Sequence, residues 1–150
     1  MKKNEKGFSL IEVVIALLLM GIIGIALLIG LATASKAIFI ADERATAESL
    51  ARSQMESVKE QPYDTAADYD AGVPGSGEVT YAKITGIPGG YTIWSVDRAG
   101  VTVEDIIGVP WDTENNQPST ITDDGIQRIK LVIKHDVKEV VTLEDYKVDR

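Results

Sequence analysis

Hydrophobic and polar residues change their spacing twice along this chain. From Val13 to Ala34 there are 22 consecutive residues without a charge, and 13 of them are Leu, Ile or Val. At about 1.5 Å per residue, a helix of this length spans the roughly 30 Å hydrocarbon core of a bilayer. The insertion gain, about −0.3 to −0.6 kcal/mol per Leu, Ile or Val, sums to roughly −4 to −8 kcal/mol. Glu12, at the edge of the run, costs less than the roughly 2.5–3.5 kcal/mol of a central acid, so insertion wins. From residue 35 the spacing becomes amphipathic. Ala37, Ile40, Ala41, Ala47, Ala51, Met55 and Val58 fall on one helical face, and Asp42, Thr46, Ser49, Ser53, Glu56 and Glu60 fall opposite. Pro62 is the first proline, which predicts one helix from near Phe8 to about Glu60, roughly 80 Å long. Its outer half must therefore leave the membrane and cover a sheet. Arg44 and Glu48 sit in or beside the stripe, either as an exposed i,i+4 pair or as a contact to a neighbouring subunit.

Past Pro62 the period changes to two. A turn-rich linker (Asp64, Asp68, Asp70, Gly72, Pro74, Gly75, Gly77) precedes strand candidates at 78–84, 91–97, 126–134 and 137–146. Shorter strands are expected at 101–103 and 106–109, with Trp111 capping the core. His135-Asp136 reads as a solvated hairpin turn lacking the usual glycine. Hairpin-linked strands form an antiparallel sheet whose apolar face the amphipathic helix covers, an α+β class.

The flanks orient the membrane segment. Lys2, Lys3 and Lys6 precede it, and mixed charges (Lys36, Asp42, Glu43, Arg44) follow. The positive-inside rule places the N-terminus in the cytoplasm and residues 35–150 outside. A cleaved secretory signal is disfavoured because the apolar run far exceeds an ordinary h-region and no A-x-A-like site follows it. A plain signal anchor competes, but it leaves Glu12 without a partner. Cleavage between Gly7 and Phe8 would remove the three lysines and create an α-amine four residues before Glu12. That cation can neutralise Glu12 of its own helix or of an axially offset neighbour, which favours assembly and sets its register.

The stretch Lys6-Gly7-Phe8-Ser9-Leu10-Ile11-Glu12-Val13 resembles the prepilin processing and methylation motif of the type IV pilin and pseudopilin family. The resemblance implies cleavage after Gly7 and N-methylation of Phe8 by a prepilin peptidase/methyltransferase, with Glu12 as the subunit-assembly residue. It also implies the pilin fold, with a leader at 1–7, a transmembrane and assembly half at 8–34, an amphipathic half at 35–61 and a β region at 62–150. The expected partners are other pilin subunits and a pilus or secretion assembly platform. The expected product is a membrane precursor that becomes an extracellular or periplasmic filament. Gly21 and Gly24 lie where pilin helices melt locally on assembly, although Ile29 replaces the proline found there in many members. The QME run at 54–56 and the C-terminal hairpin resemble minor pilins more diffusely. The resemblance leaves a pilus subunit, a type II secretion pseudopilin and a signal-anchored extracytoplasmic protein as ordered alternatives.

Composition narrows the chemistry further. The chain has 150 residues, a net charge of −8, no cysteine and one histidine. Disulfides, thiolate sites and multi-histidine metal centres are excluded, and neither a nucleophile motif nor a phosphate loop is present, so no enzyme is expected. Residues 35–150 carry 12 basic and 21 acidic side chains, so no direct nucleic-acid contact is expected unless Lys130, Lys134 and Lys138 cluster. No cofactor is expected. Asp112, Glu114, Asp123 and Asp124 are weak calcium candidates because some pseudopilins bind that ion in an acidic loop. Tyr63, Tyr69, Tyr81, Tyr91, Trp94 and Trp111 are expected mainly in the core or at its rim, with adhesion as their other use.

Overall fold

The computed structural model describes residues 9–65, 77–119 and 123–150. The leader with Gly7 and Phe8 lies outside the described residues, as does the linker stretch containing Asp68, Tyr69, Asp70, Gly72, Pro74 and Gly75. The chain divides into two compact units, Met1–Ala41 and Asp42–Arg150. One helix, α1 (Leu10–Glu60), contributes to both.

In the first unit α1 presents its apolar side chains outward almost throughout, with Leu10, Leu17, Met20, Leu27 and Phe39 among the most exposed. Its length and composition suffice to cross a membrane. The helix continues unbroken through Gly21, Gly24 and Gly30. Thr33 and Ser35 donate to the carbonyls of Ile29 and Leu31, so both hydroxyls are satisfied inside the helix, as an apolar solvent demands.

Among the described residues of the second unit, seven strands form one antiparallel sheet: β1 (Val79–Tyr81), β2 (Tyr91–Val96), β3 (Thr102–Val103), β4 (Ile106–Asp112), β5 (Gln117–Pro118), β6 (Ile126–His135) and β7 (Lys138–Val148). The central strand is β6. It pairs with β7 along its whole length, and its other edge is shared by β2 (Tyr91↔His135 to Ser95↔Leu131) and β4 (Val109↔Arg128). Alternation along β6 sends Ile129, Leu131 and Ile133 into the core, where Ala47, Leu50, Ala51, Met55 and Val58 of α1 meet them with Val79, Tyr81, Ile93 and Ile106.

This core corrects the expected stripe. Ala37, Ile40 and Ala41 are exposed, and the buried face of α1 starts at Ala47 because that is the first residue the sheet covers. It also includes Leu50 and Gln54. Fully buried Gln54 donates from Nε2 to the Ala82 carbonyl at 3.0 Å and accepts from the Ile84 amide at 2.8 Å. Two turns further along the same face, just past the end of α1, Gln61 accepts from the Ala82 amide at 2.8 Å. The expected strand at 78–84 therefore stops at Tyr81: residues 82–84 turn their backbone groups to helix side chains, not to β4. Replacing Gln54 by leucine is expected to lower stability by about 1–3 kcal/mol, since it strands the partly buried Ile84 amide; denaturant unfolding of the full chain would measure this.

Two further expectations change. The hairpin loop is Asp136-Val137, with His135 closing β6, and Asp136 itself takes the left-handed conformation (φ 54°) for which glycine was expected. Aspartate tolerates that region better than most residues. Trp111 is buried, but on the sheet face turned away from the α1 core, beneath the Arg128 guanidinium at 4.1 Å and tilted against Tyr146. The register Val109↔Arg128 places it there.

Proline stops α1 where expected. Lys147, in β7, then donates to the carbonyls of Val58 and Gln61 and so caps the C-terminal end, where a cation is favoured. Burial holds its ammonium below the ordinary lysine range.

Candidate assembly and processing site

Ser9 precedes the first helical turn, and its carbonyl accepts from the amides of Glu12 at 3.0 Å and Val13 at 3.3 Å. Glu12 thus sits in the first turn, near the positive end of the helix dipole. That dipole contributes about 0.3–1 kcal/mol, small against the roughly 2.5–3.5 kcal/mol that a carboxylate costs deep in an apolar layer. The dipole alone therefore does not offset the cost of placing an ionised Glu12 deep in an apolar layer. Glu12 is exposed, bordered by Val13, Ala16, Leu17 and Met20 around an apolar groove of about 430 Å³. Gly7 and Phe8, the expected processing positions, lie outside the described residues.

Gly21 and Gly24 are helical, and a Cβ at either would meet nothing within 4 Å. Their small size serves no contact among the described residues. It is available to a neighbouring helix, for which small residues allow close approach.

Two of the four calcium candidates, Asp112 and Asp123, are engaged in other bonds. Asp112 Oδ1 accepts from the amides of Glu114 and Asn115, and Oδ2 accepts from Asn115 Nδ2 at 2.7 Å, which closes the β4–β5 turn. These bonds, led by the Asn115 side chain, keep its carboxyl below the usual range. Asp123 accepts from Tyr63, from the Gly125 amide and from Gln127 Nε2. Glu114 and Asp124 are exposed. Among the described residues no group of three or more acidic or histidine side chains converges as a metal site.

The Asp123 bonds belong to a larger network that the sequence did not disclose. Tyr81 donates to Gln127 Oε1 at 2.5 Å, and Gln127 Nε2 also donates to the Asp64 carbonyl at 2.8 Å. This ties the start of the linker to β6. Burial, reinforced by the Asp123 charge, pushes the Tyr81 phenol up to about 12 and the Tyr63 phenol higher still. Both phenols remain donors at every physiological pH. The signal available beforehand was a glutamine at an inward position of an otherwise apolar alternation, Gln127-Ile129-Leu131-Ile133.

Of the lysines considered for nucleic acid, Lys134 lies over the Trp94 ring at 4.4 Å, while Lys138 turns to Glu43 at 3.6 Å. They do not form one patch. Arg44 and Glu48 pair with each other at 3.3 Å on the exposed surface, a contact of small energetic value. Tyr81 and Trp111 are buried and Tyr63, Tyr91 and Trp94 half-buried, whereas Tyr69 lies outside the described residues.

Residues 2–32 match the family model described as the prokaryotic N-terminal methylation motif, the prepilin signature of type IV pilins and pseudopilins. That motif marks a structural family and not a catalytic one. No curated protein and no solved structure matches the chain significantly.

Proposed function

We propose that this protein is a structural subunit of a type IV pilus-like filament. It is made as a single-pass precursor with its N-terminus in the cytoplasm, trimmed after Gly7, methylated on Phe8 and drawn into a polymer through α1. One observation carries the reading. The methylation motif at residues 2–32 includes the start of a helix whose apolar side chains, from Leu10 to Ile40, find no cover among the described residues. Such a surface requires lipid before assembly and other helices after it. The acid at its head requires a cation, which the new α-amine of Phe8 supplies.

The chemistry needed from this chain is binding and positioning. Prepilin peptidase performs the cleavage and methyl transfer, the neighbouring subunits supply apolar contact, and an assembly platform supplies the work of extraction. Intact-mass measurement of the membrane-extracted protein is expected to show loss of Met1–Gly7 and one added methyl on the new N-terminal Phe8. A chain that functions while retaining its leader would refute the proposal. A deletion strain separates the two members of the family: loss of surface filaments supports the pilus subunit, whereas loss of protein export with filaments intact assigns the chain to a type II secretion pseudopilin.

A further inference from the structure

Between Asp42 and Thr46, α1 has left its apolar stretch but has not reached the core. No side chain in this turn is buried, and the buried run begins at Ala47. The contacts that tie the turn to the sheet are polar and converge on Glu43. His135 Nδ1 lies 3.1 Å from Glu43 Oε1, and Lys138 Nζ lies 3.6 Å from Oε2. The Tyr91 hydroxyl donates to the Glu43 carbonyl at 3.3 Å, and its ring stacks on the imidazole with centroids 4.5 Å apart. Behind the imidazole lies Gly90, where a Cβ would come within 2.9 Å of His135 Nε2 and 3.7 Å of Asp136 Oδ1. The Glu43 side chain keeps 19% of its exposure and that of His135 36%.

Among the described residues, Glu43 from α1, Lys138 from β7, Tyr91 from β2 and Asp136 from the hairpin loop are the charged or titratable groups around the imidazole. Carboxylates, ammonium and phenol groups ordinarily keep their charge between pH 5 and 8, and histidine is the side chain that ordinarily changes it there. We infer that His135, the chain's one histidine, is a proton-operated latch. Proton uptake turns its contact with Glu43 into a charge-assisted bond and fastens the β6–β7 hairpin to the turn of α1 just before its buried run. Proton release loosens that turn. Lys138 holds Glu43 throughout this range, so the latch is graded and not all-or-none. The fixed space at Gly90 and the Tyr91 stack keep the ring aimed at Glu43 in both states. This inference concerns the Asp42–Arg150 unit and stands whether or not the chain enters a filament.

Amide hydrogen exchange of the full chain in detergent micelles tests it. After correction for intrinsic exchange, the amides of residues 43–47 are expected to be about two- to fivefold better protected near pH 5.5 than near pH 7.5, the range of a partly exposed ion pair. Residues 50–58 are expected to show no such difference. The response is expected to vanish in His135→Gln and in Glu43→Gln. In Lys138→Met, which leaves the imidazole in place, it should persist and grow. Equal protection of the wild-type turn at both pH values would overturn the latch, as would an undiminished response in His135→Gln or a lost one in Lys138→Met.

Discussion

Replacing Glu12 by alanine is expected to leave membrane insertion and leader removal intact while cutting incorporation into the filament by at least about tenfold. Insertion is preserved because the change removes a charge from the edge of an already sufficient apolar helix. Incorporation suffers because the α-amine at Phe8 keeps its charge and enters the apolar helix bundle without a counter-ion, and breaking one side of a buried pair costs about 3–5 kcal/mol. Glu12→Gln keeps the shape, removes the charge and should behave similarly. Quantifying the variant in sheared filaments against its membrane pool gives the ratio directly. Wild-type incorporation of either variant would remove Glu12 from the docking step.

The second large effect lies in the Asp42–Arg150 unit. Gly108, paired with Val79 across β1 and β4, faces Tyr81 and Gln127. A Cβ there would stand 2.6 Å from Gln127 Oε1 and 2.7 Å from Tyr81 Cε2. Gln127 cannot swing aside cheaply, because its amide holds Tyr81, Asp123 and the Asp64 carbonyl in one buried network. Gly108→Ala therefore overpacks the site and breaks hydrogen bonds together. The expected loss is about 2–4 kcal/mol, which lowers Tm by roughly 10 °C or more for a unit of this size. Circular dichroism melting of the full chain measures it. A change below about 0.5 kcal/mol, the range of an ordinary surface substitution, would mean that the network yields freely.

Much of the molecule was legible before any coordinates because its signals are local. A run of 22 uncharged residues suffices for a membrane helix, Pro62 stops that helix, and alternation marks β6 and β7. The prepilin motif is likewise contiguous, so Gly7, Phe8 and Glu12 could be singled out by order and spacing. Even Gln54 left a trace, as a polar residue inside an apolar helical face. The trace identified no partner.

The rest depends on residues brought together from far apart in the chain. Gln54 meets Ile84, Lys147 reaches the end of α1, and Glu43 meets His135 only after β6 has chosen its neighbours and register. Register along a strand has a period of two, so a slip of one residue would turn Trp111 to the opposite sheet face and send Lys147 away from the helix end. Local spacing thus determined which segments are helix and strand and which helix is long and apolar enough to cross a membrane. Strand pairing alone decided which polar groups are buried, which sheet face Trp111 takes and which glycine has no room for a side chain.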